Sequence, residues 1–421
     1  MGHKRQISDR FTPSSKRLKS NSTIYLSFEE SPPPSVTIKG LTFTPTKVFD
    51  TFWRYAAERQ AIDDRRRKGL PPPWTDDPIL GGYRFCNVFR VLDRVSQYII
   101  REVIEIGPQE PTEVVFRVVL FNTFTRIETY QLLRSNFGTP TWAQYKRRSY
   151  EKVLRAAYEN GVKLYTGSFQ KPAPNMGYKE AFMNHLIFLE VLMKDLPDQL
   201  ANAHYMADIF DWLCSFKSMG DFTAYQLLLN LSYSDVINFS EDDFVSVGIG
   251  ARRGLRDCFE GSLSRSVEVD IIRWMQQTQQ DHFARLGLDF RGLSPDQCSM
   301  QLCDVEHTLC EVYKYIRLCR RGTSNKTFQI SAKLAARRLP KAWSHPDRQM
   351  LRIRTEESTE IVEKFTVSQI SAHRMINGGR EFLVYWEGYS DDDATWEPED
   401  MLMEDAPIAV KDYLTDAKIK R

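Results

Sequence analysis

An acidic run set against a Gly-rich basic turn is the most chemically pointed feature of this chain. Ser240-Glu241-Asp242-Asp243 is followed closely by Gly248-Ile249-Gly250-Ala251-Arg252-Arg253-Gly254. Such a juxtaposition is costly in a plain core and natural at a site. Asp243, with Asp242 second, has the chemistry to activate water or to stabilise an oxocarbenium-like sugar cation. Arg252 and Arg253 offer planar donor forks suited to phosphate oxygens. Upstream, Lys217-Ser218-Met219-Gly220-Asp221 separates two apolar helical runs, the second marked by Phe222, Tyr225, Leu228 and Leu229. A glycine there permits a sharp turn and leaves amides at the next helix N-terminus open to a phosphate, so Gly220 is a candidate contact.

A further set lies in the first half. Asn122, Arg126 and Thr129 share a face if Val114 to Leu133 is one apolar helix, and Arg126 and Glu128 need partners in that setting. Arg84, Asn87, Arg90 and Arg94 recur at helical spacing along Arg84 to Glu105 and suit one wall of a pocket. The plainer readings are a buried ion pair for the first set and a solvated face for the second. Cys298, Cys303, His307, Cys310 and Cys319 lack the tight C-x-x-C pairs of iron–sulfur and zinc sites, so ordinary packing is expected, with no metal and no cofactor.

The C-terminal segment changes character. Phe365 to Arg374 alternates, Asn377-Gly378-Gly379 signals a hairpin, Arg380 to Trp386 and Ala394 to Glu397 read as strands, and Ile408 to Lys420 as a helix. Glu381 to Glu399 (EFLVYWEGYSDDDATWEPE) resembles the chromodomain signature. The resemblance places a methylammonium cage on Phe365, Trp386 and Tyr389, with Trp396 in the core and Asp391, Asp392, Asp393 and Glu397 supplying negative charge to a methylated histone tail. The chain departs from histone-binding members at Met401 and Lys364, where they carry an Asn and an acidic residue.

The middle of the chain also resembles a known family. Gly220 to Gln226, Phe239 to Val245 and Gly248 to Gly254 are similar to hallmark runs of the helical domain named after 5-hydroxymethyluracil DNA kinase, a group linked to thymine hypermodification. Trp74 to Leu80, Tyr83 to Arg90, Asp93-Arg94, Asn122 to Thr129, and Asp304, Glu306, His307, Cys310, Glu311, Lys314 and Tyr315 resemble it too. More loosely, the Met219-Gly220 hairpin is similar to the helix-hairpin-helix of DNA glycosylases, in which a hairpin holds DNA phosphate and a downstream Asp does the chemistry. The resemblance implies DNA as partner and an extruded base as substrate.

The elements that must position these residues follow from length and pattern. At 421 residues with 42% apolar content, two folded units plus tails are expected. The fold class is multidomain: a mainly α, helix-hairpin-helix-like domain, then a small chromodomain in which a three-stranded antiparallel sheet is packed by a C-terminal helix. Residues 1–45, rich in Ser, Pro and Thr, read as a disordered tail in which Lys4-Arg5 and Lys16-Arg17-Leu18-Lys19 form a bipartite nuclear signal. Residues 46–321 form the helical domain, 322–360 a basic linker, solvated or touching DNA phosphates, and 361–421 the chromodomain. The net charge of +2 confines any nucleic-acid signal to local patches, and seven Cys without a secretory leader suit a reducing compartment. No apolar run approaches the ~20 residues of a membrane span. No G-x-x-x-x-G-K-[ST] run is present, so any kinase chemistry needs a separate protein. The expected function is a nuclear, chromatin-directed protein that reads methylated histone lysine and engages DNA for recognition or processing of a modified base. The alternatives are a non-catalytic chromatin adaptor and a chromodomain protein derived from a mobile element.

Overall fold

The computed structural model describes residues 34–261, 263–293, 299–321, 334–354, 366–376, 379–387 and 389–417. The basic clusters at Lys4, Arg5, Lys16, Arg17 and Lys19, together with Cys298 and Phe365, lie outside the described residues.

Order begins earlier than expected. β1 (Val36–Ile38) and β2 (Leu41–Phe43) form an antiparallel hairpin in which Val36 pairs with Phe43. Phe43 sets its ring against Phe259 at 6.0 Å, which ties this segment to the helical core. α1 (Lys47–Arg67) starts where the Thr46 side chain accepts from the Val48 N–H and ends in Arg65-Arg66-Arg67, as its dipole favours. Phe49, Phe52 and Trp53 on α1 are fully buried. α2 (Pro78–Gly82) is capped by Asp77, whose carboxylate accepts from the Ile79 and Leu80 amides at 2.8 and 2.9 Å.

Two expected long helices are broken, each by a short polar side chain that binds backbone. Residues 84–105 form an extended stretch, a 3₁₀ turn (Arg90–Leu92), α3 (Arg94–Tyr98) and a π-helical turn (Ile99–Ile104). The Asp93 carboxylate accepts from the Asn87 N–H at 2.8 Å, which holds residues 87–93 in a loop instead of a helix. α4 (Pro111–Phe124) and α5 (Ile127–Phe137) are separated at Thr125, which has φ +46° and donates its hydroxyl to the Asn122 carbonyl at 2.8 Å. Asn122, Arg126 and Thr129 therefore do not share one helix.

α6 (Arg147–Glu159), α7 (Ala181–Asn202), α8 (Met206–Cys214) and α9 (Asp221–Leu231) follow. α7 and α9 pack on α4, the apolar centre of this half. In the α8–α9 turn the left-handed residue is Ser218, at φ +73°, while Gly220 has φ −70° and no need of its glycine freedom.

Gly248 to Gly254, expected as a turn, instead begins α10 (Ile249–Cys258), which packs along α12 (Leu302–Arg321) with α11 (Arg265–Arg285) alongside. The glycines set the distance between helices. A Cβ at Gly254 would collide with the Leu309 carbonyl, and one at Gly250 would stand 2.5 Å from the Cys310 Sγ.

The expected basic linker, read as solvated or touching DNA phosphates, is, over residues 334–354, a strap across the helical domain. Arg337 pairs with Asp63 at 3.2 Å and with Asp64, Arg338 with Glu105 at 2.9 Å, and Arg354 with Asp208 at 2.9 Å and Asp211 at 2.6 Å. The buried Arg348 donates to the carbonyls of Ser232, Ser234 and Ile237 at 2.6, 3.1 and 2.8 Å. These cations are committed within the chain.

β3 (Val367–Ile376), β4 (Gly379–Trp386) and β5 (Thr395–Pro398) form the three-stranded antiparallel sheet in the order β3-β4-β5. α13 (Glu399–Asp405) and α14 (Pro407–Asp416) cover it, two short helices in place of the single one expected. Phe382, Val384, Leu402, Val410 and Leu414 are its core. Trp396, expected in that core, is only partly buried and lies beneath the Arg374 guanidinium, 4.3 Å from ring centre to Cζ. Among the described residues no helix is long and apolar enough to cross a membrane.

Candidate functional site

The broken segments of the first half open onto a cavity of about 610 Å³ on the face of the helical domain. Arg84, Arg90, Asp93 and Arg94 line one side, and the α4–α5 joint contributes Asn122, Arg126 and Glu128. α9 adds Phe222, Tyr225, Gln226 and Asn230, and α12 adds Glu306, His307 and Glu311. The chromodomain closes the rim with Tyr389 and Asp393.

Each side chain has a structural reason to face inward. The Thr125 break turns Asn122 toward α9, where its Oδ1 accepts from the Asn230 amide at 3.0 Å and both stay buried. The Arg90 guanidinium donates to the Gln226 side chain, and the Arg90 backbone N–H is held by the Asp304 carboxylate at 2.8 Å. Arg94 and Arg126 both reach Glu128 at 3.4 Å, forming a half-exposed ionic rim. Asn87 stands behind the wall. It accepts from Arg59 at 2.8 Å and donates to the Leu92 carbonyl and to Asp93 at 3.0 and 3.1 Å.

Burial shifts the ionisable groups of the α12 wall in different directions. Burial pushes the Glu306 carboxyl up to about 7, although the Gly248 N–H donates to it at 3.1 Å. Burial also raises Asp93, an effect His307 opposes at 3.8 Å, and it lowers His307. Burial pushes Glu311 up as well, but Lys314 at 3.1 Å and His307 together hold it below its ordinary value. Cys86, Asp93 and His307 each bring one ligand-type atom within 4.8 Å of the others. The His307 Nε2 faces the Asn87 carbonyl at 3.2 Å, a contact that needs a protonated nitrogen, and Asp93 Oδ1 already accepts twice from Asn87. Asp93 and His307 are thus each held by Asn87, and they face one another at 3.8 Å.

The structure does not bring the remaining expected site residues here. Asp242 accepts from the Leu302 amide at 2.9 Å and from Gln276 at 3.3 Å, so it ties the N-terminus of α12 to α11. Asp243 accepts from the Ser240 and Arg352 amides at 3.0 and 2.8 Å and fastens the strap. Arg252 is buried against Glu268 at 2.7 Å, and Arg253 reaches Glu397 of the chromodomain at 2.9 Å. Gly220 does not line the cavity. Glu306 and Glu311 appeared in the sequence only as part of a family-like run, and His307 also among the cysteines read as ordinary packing. The available signal was the density of ionisable side chains on an otherwise apolar helix.

In the chromodomain, Trp386 is partly buried at the small core and donates its indole N–H to Thr395 Oγ1 at 2.8 Å. Tyr389 is 7% exposed and packs its ring 4.7 Å from Phe222 of the helical domain. Asp391 and Asp392 are exposed, Asp393 caps its own turn through Ser390, and Glu397 accepts from Thr395 at 2.6 Å.

Comparison with known proteins agrees with this division. The family described as 5-hmdU DNA kinase, helical domain, matches residues 46–325, and the chromo (chromatin organisation modifier) domain matches residues 365–416. A 5-hmdU DNA kinase of Bacillus phage SP10 is 25% identical over 306 residues, which cover 68% of this chain and 47% of the phage protein. The chain thus spans about half the length of that curated relative. No solved structure matches the chain.

Proposed function

This chain belongs to the 5-hmdU DNA kinase helical-domain family and carries a chromodomain; from that premise we propose that its cavity receives one nucleotide extruded from DNA and acts on a modified pyrimidine. The observation that carries the reading is the combination of groups in one cavity of about 610 Å³. A nucleotide fits comfortably within the ~300–1,000 Å³ of ordinary ligand sites. Phe222 and Tyr225 offer ring faces for a base. Asn122, Asn230 and Gln226 offer both donors and acceptors for its Watson–Crick edge. Arg84, Arg94 and Arg126 at the rim suit the flanking phosphates. Glu306, with its carboxyl near 7, can give or take a proton at the base, and Asp93 and His307, 3.8 Å apart, supply a second acid and base beside it. The catalytic assignment thereby moves from Asp243 to the α12 wall.

The chromodomain implies chromatin association, and its role in this reading is to bring the cavity to nucleosomal DNA through a methylated-lysine peptide. Phosphorylation of the base, the activity in the phage relative's name, is no part of this reading. The test is to incubate the full chain with DNA carrying thymine, 5-hydroxymethyluracil or phosphorylated 5-hydroxymethyluracil and to follow the bases by mass spectrometry. A changed base that is lost in Glu306→Gln supports the reading. DNA binding with no changed base supports a chromatin adaptor. No binding to any DNA at moderate salt refutes the cavity's assignment to nucleic acid.

A further inference from the structure

A chromodomain that reads methylated lysine needs the face of Tyr389, yet here that face is spent on the helical domain. The ring lies against Phe222 with centroids 4.7 Å apart, and Tyr389 is only 7% exposed. Polar contacts fix the docking on both sides of the ring. The Gln170 N–H donates to the Tyr389 carbonyl at 3.2 Å, and the Ser368 hydroxyl to the Gln170 side chain at 3.1 Å. Arg253 pairs with Glu397 at 2.9 Å, and Arg317 donates to the Asp392 carbonyl at 2.7 Å. Tyr389, Asp392 and Glu397 are all residues that the chromodomain resemblance assigns to the peptide side.

A second observation links another ring of the cage, Trp386, to the same contact. Trp386 donates to Thr395, Thr395 donates at 2.6 Å to Glu397, and Glu397 accepts from Arg253. A shift of the indole on binding a cation is therefore transmitted through hydrogen bonds to the ion pair that joins the domains. The rim of the cavity is closed by Tyr389 and Asp393, so whatever moves Tyr389 also changes access to it.

We propose that the chromodomain is a lid on the cavity, latched through Tyr389 and Glu397 and released by a methylated-lysine peptide. The inference rests on the reading of the chromodomain as a methyl-lysine reader. Tyr389 serves either the cage or the cavity wall, so peptide binding and lid closure exclude one another. The coupling is reciprocal: a looser latch must raise peptide affinity, and bound peptide must loosen the latch.

The experiment titrates a trimethyl-lysine histone-tail peptide and its unmethylated form into the full chain by calorimetry. It compares the wild type with two latch variants, Arg253→Met/Arg317→Met and Phe222→Leu, each checked for an unchanged circular dichroism spectrum. Hydrogen exchange at the Gln170 amide is followed in parallel. The expected result is about tenfold tighter binding of the methylated peptide by the latch variants, the size of a typical coupling, with faster Gln170 exchange in the wild type once peptide is bound. Equal affinity in all three proteins, with Gln170 exchange unmoved by bound peptide, overturns the lid and leaves the reader in place. No binding of either peptide by any of the three overturns both.

Discussion

Arg252→Ala separates a structural from a DNA-binding role for the basic turn more sharply than any other single change. The Arg252 guanidinium meets both oxygens of Glu268 at 2.9 and 2.7 Å, and the two residues are 5% and 1% exposed. Attraction at that depth offsets a large desolvation penalty only while both partners are present. Removing the arginine leaves the Glu268 carboxylate in the interior without that countercharge, which costs about 3–5 kcal/mol. Against a total stability of roughly 5–15 kcal/mol this is a large share. At ~2–4 °C per kcal/mol, the thermal midpoint falls by about 6–20 °C. The assay is thermal unfolding followed by circular dichroism, with urea unfolding as a second measure. The double variant Arg252→Met/Glu268→Leu recovers much of the loss, because it removes both charges and keeps the volume. The wild-type pair shows little salt dependence, being shielded from mobile ions. A midpoint within about 2 °C of wild type in Arg252→Ala, with weaker DNA binding and a shallower salt slope, would refute the buried-pair account and restore Arg252 to a phosphate contact.

Four further outcomes are expected. Gly254→Ala lowers the thermal midpoint by several degrees, since its methyl meets the Leu309 backbone and ~1–3 kcal/mol is the usual penalty of overpacking; an unchanged midpoint would mean that α10 and α12 separate easily. Burial raises Glu306 from 4.5 and Asp304 from 3.8, both to about 7, so the folded chain holds these protons more tightly than the unfolded one. That contribution is full below the unfolded values and is lost as pH rises to about 7, so the midpoint falls between about pH 4 and pH 7 and falls less in Glu306→Gln; differential scanning calorimetry checks it. Trp386→Ala costs roughly 2 kcal/mol or more of binding to a trimethyl-lysine peptide, measured by calorimetry against the unmethylated peptide. Ala at Lys16, Arg17 and Lys19 abolishes nuclear accumulation of a fluorescent fusion, and unchanged accumulation would assign import to another segment.

Much of this architecture was legible because local signals agreed with tertiary ones. In α1 the helical spacing of Phe49, Phe52 and Trp53 and the basic run Arg65-Arg66-Arg67 are both written in the sequence and both agree with the buried face and the C-terminal end of the helix. Alternation and an Asn-Gly-Gly turn marked the hairpin that pairs Ile376 with Gly379. The misreadings share one physical origin, a partner distant in sequence. Gly248 to Gly254 looked like a turn because glycine disfavours helices by ~1 kcal/mol each, and only the approach of α12 shows what is gained in return. Asp242 and Asp243 looked catalytic because they are adjacent and lie near arginines, but their hydrogen bonds run to Leu302 and Arg352. Arg84 to Glu105 kept a helical period that the Asn87–Asp93 contact overrode. Of the cavity, Arg84, Arg90, Asn122, Arg126 and Glu128 were found by type and spacing. Glu306 and His307 were not, because a carboxylate becomes a proton carrier through burial, which no local pattern encodes.

The strap has a consequence for where this domain ends as a folding unit. Homology to the helical family stops at residue 325, before Trp343, Arg348 and Arg352. Those residues hold the Glu241 carboxylate, the carbonyls of Ser232, Ser234 and Ile237, and Asp243. A fragment cut at the homology boundary would expose that whole underside to water and leave the α9 end unclamped, whereas one that runs on to residue 354 keeps it closed. The evolutionary module and the cooperative unit therefore differ in length by a segment that carries no family signature of its own.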